Sequence, residues 1–182
     1  MRRAASWLTE DLDCLEEAAA GYRGTVKSQL LGPWSLAASV ELPTGDYYGG
    51  HRPGNGLFGE SVVALDVKTG KLAWHYAHAP GEALDLDVVF ERVLFDAGNE
   101  KYVATVGKDG ILWKLDRRTG EYLGHAETMF QNIWESFDRE TGRPTYRKDI
   151  LEAKVGEWID GCPSSEGGHN WQATSLHRPS RQ

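Results

Sequence analysis

An all-β fold assembled from a repeated hairpin is predicted by three observations. The motif Asp-x-x-Thr-Gly stands at 66–70, at 116–120 and at 138–142. Each copy lies between short runs rich in aliphatic and aromatic residues, which is the signal of two strands joined by a Gly-containing turn. The 182 residues include 21 glycines and seven tryptophans, the turn-formers and packing rings that a sheet protein needs. Hairpins that return at intervals of tens of residues indicate a repeat architecture.

Taken in order, residues 1–21 read as an amphipathic helix. Thr9 is a candidate cap, Glu10 and Asp11 follow it in the first turn, and Leu8, Leu12, Leu15 and Ala19 share helical spacing before Gly21. Residues 22–45 hold strand-like runs broken at Gly32-Pro33. Trp34, directly after that break, suits either core packing or a platform for a planar ligand. Residues 46–60 form a loop with five glycines and two tyrosines, long enough to be a rigid surface loop or a ligand-lining one.

The first hairpin follows over 61–76, with Val63, Leu65, Leu72 and Trp74 bracketing its turn. Residues 77–87 have neither strand nor helix periodicity and place Asp85 and Asp87 just beyond Pro80-Gly81. Strands are predicted over 89–96 and 101–108, then over ILWKLD and EYLGHAE. The stretch 148–159 fits a short helix or an irregular crossing, and 162–176 reads as a Gly-rich turn feeding a strand-like end. Asp66, Thr69, Asp116, Thr119, Asp138 and Thr141 read as structural turn residues whose side chains bond the backbone. Trp74 and Trp113 are expected to dock between neighbouring repeats.

Composition excludes several classes of function. With 27 acidic against 20 basic residues the net charge is −7, the opposite of a nucleic-acid-binding footprint. Cys14 and Cys162 form no CxxC or metal-ligand spacing, and the six histidines share no spacing that suggests a metal site. No run of about 18 apolar residues predicts a membrane span. The first twenty residues lack the apolar core of a secretory signal.

Several motifs, taken together and in order, resemble the pyrroloquinoline quinone (PQQ)-dependent alcohol, polyol and glucose dehydrogenases. They are VALDVKTGKLAWHY, the LDLD segment at 84–87, VGKDGILWKLDRRTG and CPSSEGGHNWQA. The loop DYYGGHRPGNGLF is also similar to its counterpart there, nearer the sugar- and polyol-oxidising branch. The resemblance covers roughly 43–178. It implies an eight-bladed β-propeller, of which this chain holds about three blades. Residues 1–30 are then an unmatched N-terminal helical segment, and 31–182 part of the propeller.

The resemblance also implies a chemistry and the residues that carry it. A quinone accepts hydride from the alcohol carbon while a carboxylate takes the hydroxyl proton. Asp85 falls where the family has that catalytic base, with Asp87 as the neighbour that a slip of register would substitute. Lys108 falls where a cation lies over the quinone oxygens. Asn170 and Trp171 match a cofactor-contacting segment, and Trp34 the ring under the quinone. Calcium is the family's metal, held by oxygen ligands, with Asp85 and Asp46 the candidates here. An alcohol or sugar substrate, cytochrome c or ubiquinone as electron acceptor, a periplasmic setting and further propeller blades supplied in trans are implied in the same way. The rival reading is a non-catalytic propeller arc that serves as a scaffold or binding surface, or an inactive truncated remnant.

Overall fold

The computed structural model describes residues 26–30, 35–40, 54–56, 58–66, 68–172, 174–177 and 179–180. The helix expected over 1–21 and the break at Gly32-Pro33 lie outside them. The described chain is almost entirely strand and loop. β1 (Val26–Leu30), β2 (Ser35–Val40), β3 (Ser61–Asp66) and β4 (Leu72–Ala77) form one four-stranded antiparallel sheet in chain order. β5 (Val93–Ala97), β6 (Glu100–Val106), β7 (Ile111–Asp116) and β8 (Tyr122–Glu127) repeat the plan. A two-stranded hairpin follows, β9 (Trp134–Phe137) with β10 (Pro144–Tyr146), and then one short helix, α1 (Lys148–Glu152). This is the arrangement of consecutive propeller blades, each a meander of neighbouring strands.

β1 lies at the end of the stretch set apart as an N-terminal segment, and it pairs with β2 from Val26↔Val40 to Leu30↔Leu36. At the other end the expected strand over the last part of 162–176 is absent; the described residues there run as bends and irregular chain. The segment is Gly-rich, and Gly167 and Gly168 lie against the β6–β7 turn, Gly168 N donating to Lys108 O. α1 settles 148–159 as a short helix followed by an irregular stretch.

All three Asp-x-x-Thr-Gly motifs close hairpins, by two different devices. In the first, Asp66 Oδ1 accepts from Lys68 N at 3.0 Å, Thr69 N at 2.9 Å and Thr69 Oγ1 at 2.9 Å. In the third, Asp138 Oδ1 accepts from Glu140 N at 3.1 Å and from Thr141 N and Oγ1, both at 2.7 Å. In the second, Asp116 turns instead to Arg118, accepting from its backbone N at 2.7 Å and pairing with its guanidinium. The carboxylate is the constant and its partner varies.

The sheets are joined through aromatic rings. Val62 and Ala64 of β3 pack against Val103 and Leu115 of the second sheet, with Trp74, Tyr76, Leu94 and Tyr122 closing the cluster. A second cluster unites Ala79, Leu86, Val88, Ile111, Trp113, Ile133 and Trp134. Trp113 is fully buried, and its ring lies 5.9 Å from that of Tyr76 and 5.8 Å from that of Phe137, so it touches all three hairpin units. Trp74 faces the turn glycine Gly120. Both tryptophans therefore dock between repeats, as the sequence predicts.

Candidate functional site

The acidic segment between β4 and β5 has no regular structure, yet it is largely buried. Its LDLDV run divides by alternation. Leu86 and Val88 enter the second core cluster, while Asp85 and Asp87 turn the other way. The apolar pair thus anchors a loop whose carboxylates would otherwise be free in solvent.

Both carboxylates meet Lys108, which the β6–β7 turn brings in. Lys108 Nζ lies 2.9 Å from Asp85 Oδ2 and 2.7 Å from Asp87 Oδ2. Asp85 and Lys108 are each 8% exposed, low enough to strengthen the ion pair and high enough to leave the groups reachable. Burial alone would pull the Lys108 ammonium below its ordinary pKa. The hydrogen bonds and charges of Asp87 and Asp85 outweigh it and hold the group raised, so it stays charged. Asp85 adopts φ +63°, a left-handed conformation uncommon outside glycine and more accessible to Asp than to most residues.

Lys108 is fixed through its backbone as well. Its N–H donates to Asp87 O at 2.8 Å, and its carbonyl accepts from Gly168 N at 3.0 Å. Gly107 has no room for a side chain, because a Cβ there would overlap Asp87 O and Val88. Gly167 is crowded by Lys108 in the same way. The close approach that the GGHNW glycines permit is therefore to Lys108 and, for Gly168, to Gly110 and Met129.

This contact brings Asn170 and Trp171 to within a few residues of the Lys108 backbone. Asn170 Nδ2 donates to Glu166 O at 3.2 Å, and Trp171 is 73% exposed. His169 packs edge-on against Phe90, at 6.1 Å between ring centres. The structure thus brings Asp85, Asp87 and Lys108 into direct contact and ties the 167–168 backbone to them. Trp34 and Asp46 lie outside the described residues. Among the described residues no group of three or more His, Cys, Asp or Glu is placed to hold a metal ion.

Behind the Asp85 segment lies a buried polar layer that sequence reasoning missed. Glu60 is 1% exposed, and burial holds its carboxyl well above the ordinary range. Burial likewise raises Glu82 to about 7 and Asp109 to about 7. Asp109 accepts from Trp113 Nε1 at 2.6 Å and from Ile111 N at 3.1 Å, locking the turn that carries Lys108. Arg92 donates to Val88 O at 2.8 Å and to Thr105 Oγ1 at 2.8 Å; burial lowers it to about 10. His78 is wholly buried against the rings of Tyr76 and Trp113, and burial drives it well below its ordinary pKa. The only sequence signal for this layer was ionisable residues placed singly among apolar ones, which also describes any surface turn.

Comparison with known proteins agrees with the geometry. The model of the glucose/ethanol/alcohol dehydrogenase β-propeller domain, PQQ type, matches residues 38–130. The dehydrogenase subunit of the quinone alcohol dehydrogenase of Komagataeibacter europaeus is 32% identical over 127 residues, covering 68% of this chain and 17% of that protein. The solved structure of the quinohemoprotein alcohol dehydrogenase ADHIIG from Pseudomonas putida HK5 superposes with a TM-score of 0.73 at 26% identity, covering 85% of this chain and 24% of that one. The quinohemoprotein alcohol dehydrogenase from Comamonas testosteroni, 23% identical with a TM-score of 0.72, shares the fold over 99% of this chain and 27% of its own. The chain thus spans between about a sixth and about a quarter of the length of these relatives.

Proposed function

The chain belongs to the PQQ-type glucose/ethanol/alcohol dehydrogenase β-propeller family, and from that premise we propose that it supplies the proton-accepting site of a quinoprotein that oxidises a primary alcohol, polyol or sugar. The observation that carries this reading is the contact of Asp85 with Lys108, 2.9 Å apart and partly shielded from water. When bound, PQQ supplies the two-electron acceptor that takes hydride from the alcohol carbon.

The residues present fit such a group. Asp85 accepts the proton of the substrate hydroxyl, within hydrogen-bond reach of the alcohol oxygen. Lys108 has two duties: it orients the Asp85 carboxylate through their contact, and it would offer positive charge to the acceptor's oxygens. Asp87 shares the ammonium with Asp85 and so keeps it oriented. Asn170 and Trp171 would border the cofactor, their position set by the Gly168–Lys108 hydrogen bond, and Trp34 is the ring proposed to hold it. Calcium belongs with oxygen ligands, and Asp85 and Asp46 are the proposed contributors. An acceptor of the cytochrome c or ubiquinone kind and a periplasmic setting complete the proposal.

Asp85→Asn tests it directly. The amide keeps the size and a hydrogen bond to Lys108 but cannot take a proton. PQQ-dependent dye reduction with alcohols and sugars should fall by about 100-fold or more. Undiminished turnover would overturn the catalytic role. It would favour instead a binding arc, for which the exposed Leu151, Val155 and Trp158 beside α1 provide an apolar surface.

A further inference from the structure

The geometry points to Glu60 as a positioning residue for Asp85: its buried carboxyl group, reaching from the loop before β3, holds the backbone that carries the proton acceptor. This inference rests on the role proposed for Asp85.

Asn55 and Glu60 grip the acidic segment at three places. Gly81 N donates to Asn55 O at 2.9 Å, His78 N donates to Glu60 O at 2.8 Å, and Val88 N donates to Glu60 Oε2 at 2.7 Å. The first two are backbone bonds that any residue could make. The third needs this side chain, because it spans 28 positions and ends inside the core. An apolar residue at 60 would leave the Val88 N–H buried without an acceptor, which is costly.

The loop is shaped for the task. Phe58 and Glu60 both adopt left-handed backbone, φ +66° and +47°, and Gly59 N donates to Gly56 O at 2.6 Å. Ser61 Oγ then donates to Gly59 O at 2.8 Å at the start of β3. The turn directs the Glu60 side chain inward, where it is 1% exposed. On the opposite flank, Lys108 N bonds Asp87 O, and Gly107 lies against Asp87 and Val88. Residues 85–88 are therefore clamped between Glu60 and the β6–β7 turn. Asp85 sits at the point where the clamped chain passes through φ +63°. Releasing one jaw lets that residue relax and carries its carboxylate away from Lys108.

The test compares Glu60→Leu, Glu60→Asp and Glu60→Gln in the full chain. Gln keeps an acceptor at the same reach, Asp withdraws it by one methylene, and Leu removes it. Amide hydrogen exchange, read by mass spectrometry without cofactor, reports the clamp independently of any chemistry. Exchange over 84–90 should rise at least tenfold in Glu60→Leu and Glu60→Asp while β6 and β7 stay protected, and should stay within about threefold of the parent in Glu60→Gln. With PQQ and substrate, Glu60→Asp should lower kcat more than it raises KM, and Glu60→Gln should restore it. Unchanged exchange over 84–90, or an equal rise across β6 and β7, overturns the proposal. Should Glu60→Leu fail to fold, Glu60→Asp against Glu60→Gln decides. If Asp85→Asn retains turnover while the exchange pattern holds, the clamp stands and the catalytic reading fails.

Discussion

Lys108 was legible as a candidate for the site and Glu60 was not, and the difference is physical. Lys108 sits in a Gly-x-x-Gly turn that any reading must place at a strand end, so only its partner needed finding. Asp85 and Asp87 seemed alternatives in sequence; in space one ammonium serves both. Glu60, His78, Arg92 and Asp109 look like ordinary loop and turn residues because their burial is created by packing between segments far apart in the chain. The same layer makes stability depend on pH. Glu60, Glu82 and Asp109 have raised carboxyl pKa values, the last two to about 7, so the folded state holds protons that the unfolded chain releases above about 4. Stability from these groups is complete below about 4 and is lost as pH rises, up to about 7 for Glu82 and Asp109, at up to about 1.4 kcal/mol per unit for each. His78, lowered by burial, acts in the opposite sense below about 6.5 and is outnumbered. The charge of Asp87 adds to the rise at Glu60 and Glu82, while Arg92 opposes it at Asp109. Calorimetry should therefore show the melting temperature falling between pH 5 and pH 8. Asp109→Asn should flatten that fall, and an unaltered slope would show that Asp109 does not titrate in this range.

Hairpins are the elements that local pattern reveals best, since turn chemistry and strand alternation lie within a dozen residues. Grouping them was harder: nothing local shows that β1 and β2 complete the sheet of β3 and β4, and the tail after Gly168 has strand-like residues whose described part forms no strand. What couples one sheet to the next is equally hidden. The turn glycine of each later hairpin packs onto an aromatic of the one before, Gly120 onto Trp74 and Gly142 onto Tyr122. At Gly120, φ is +74° and an added Cβ would stand 2.5 Å from the Trp74 ring. Gly120→Ala should cost about 1–2 kcal/mol for the backbone and about 1–3 kcal/mol more for overpacking. Gly98 provides the control: φ is +63° with open space around it, so Gly98→Ala should show the backbone cost alone. Equal midpoints for the two variants in urea would mean that the Trp74 contact does not couple the sheets.

At the scale of the whole molecule the question is how much of a quinoprotein site this arc holds. Titrating the purified chain with PQQ and calcium, while following tryptophan fluorescence, should give saturable quenching that Asp85→Asn and Lys108→Ala each weaken. Absence of quenching in a folded chain would place the cofactor's remaining contacts elsewhere. The site also has an order of assembly. Its struts join distant residues, Glu60 to Val88 and Lys108 to Gly168, whereas the hairpins close over a few. Loop closure over longer separations is entropically costlier and slower, so strands should form before the carboxylates and Lys108 meet. A variant arrested between those events would carry a full complement of hairpins and an ordinary far-ultraviolet spectrum, yet have nothing to offer a substrate. For this chain, folded and competent are separate milestones, and a spectroscopic count of strands measures only the first.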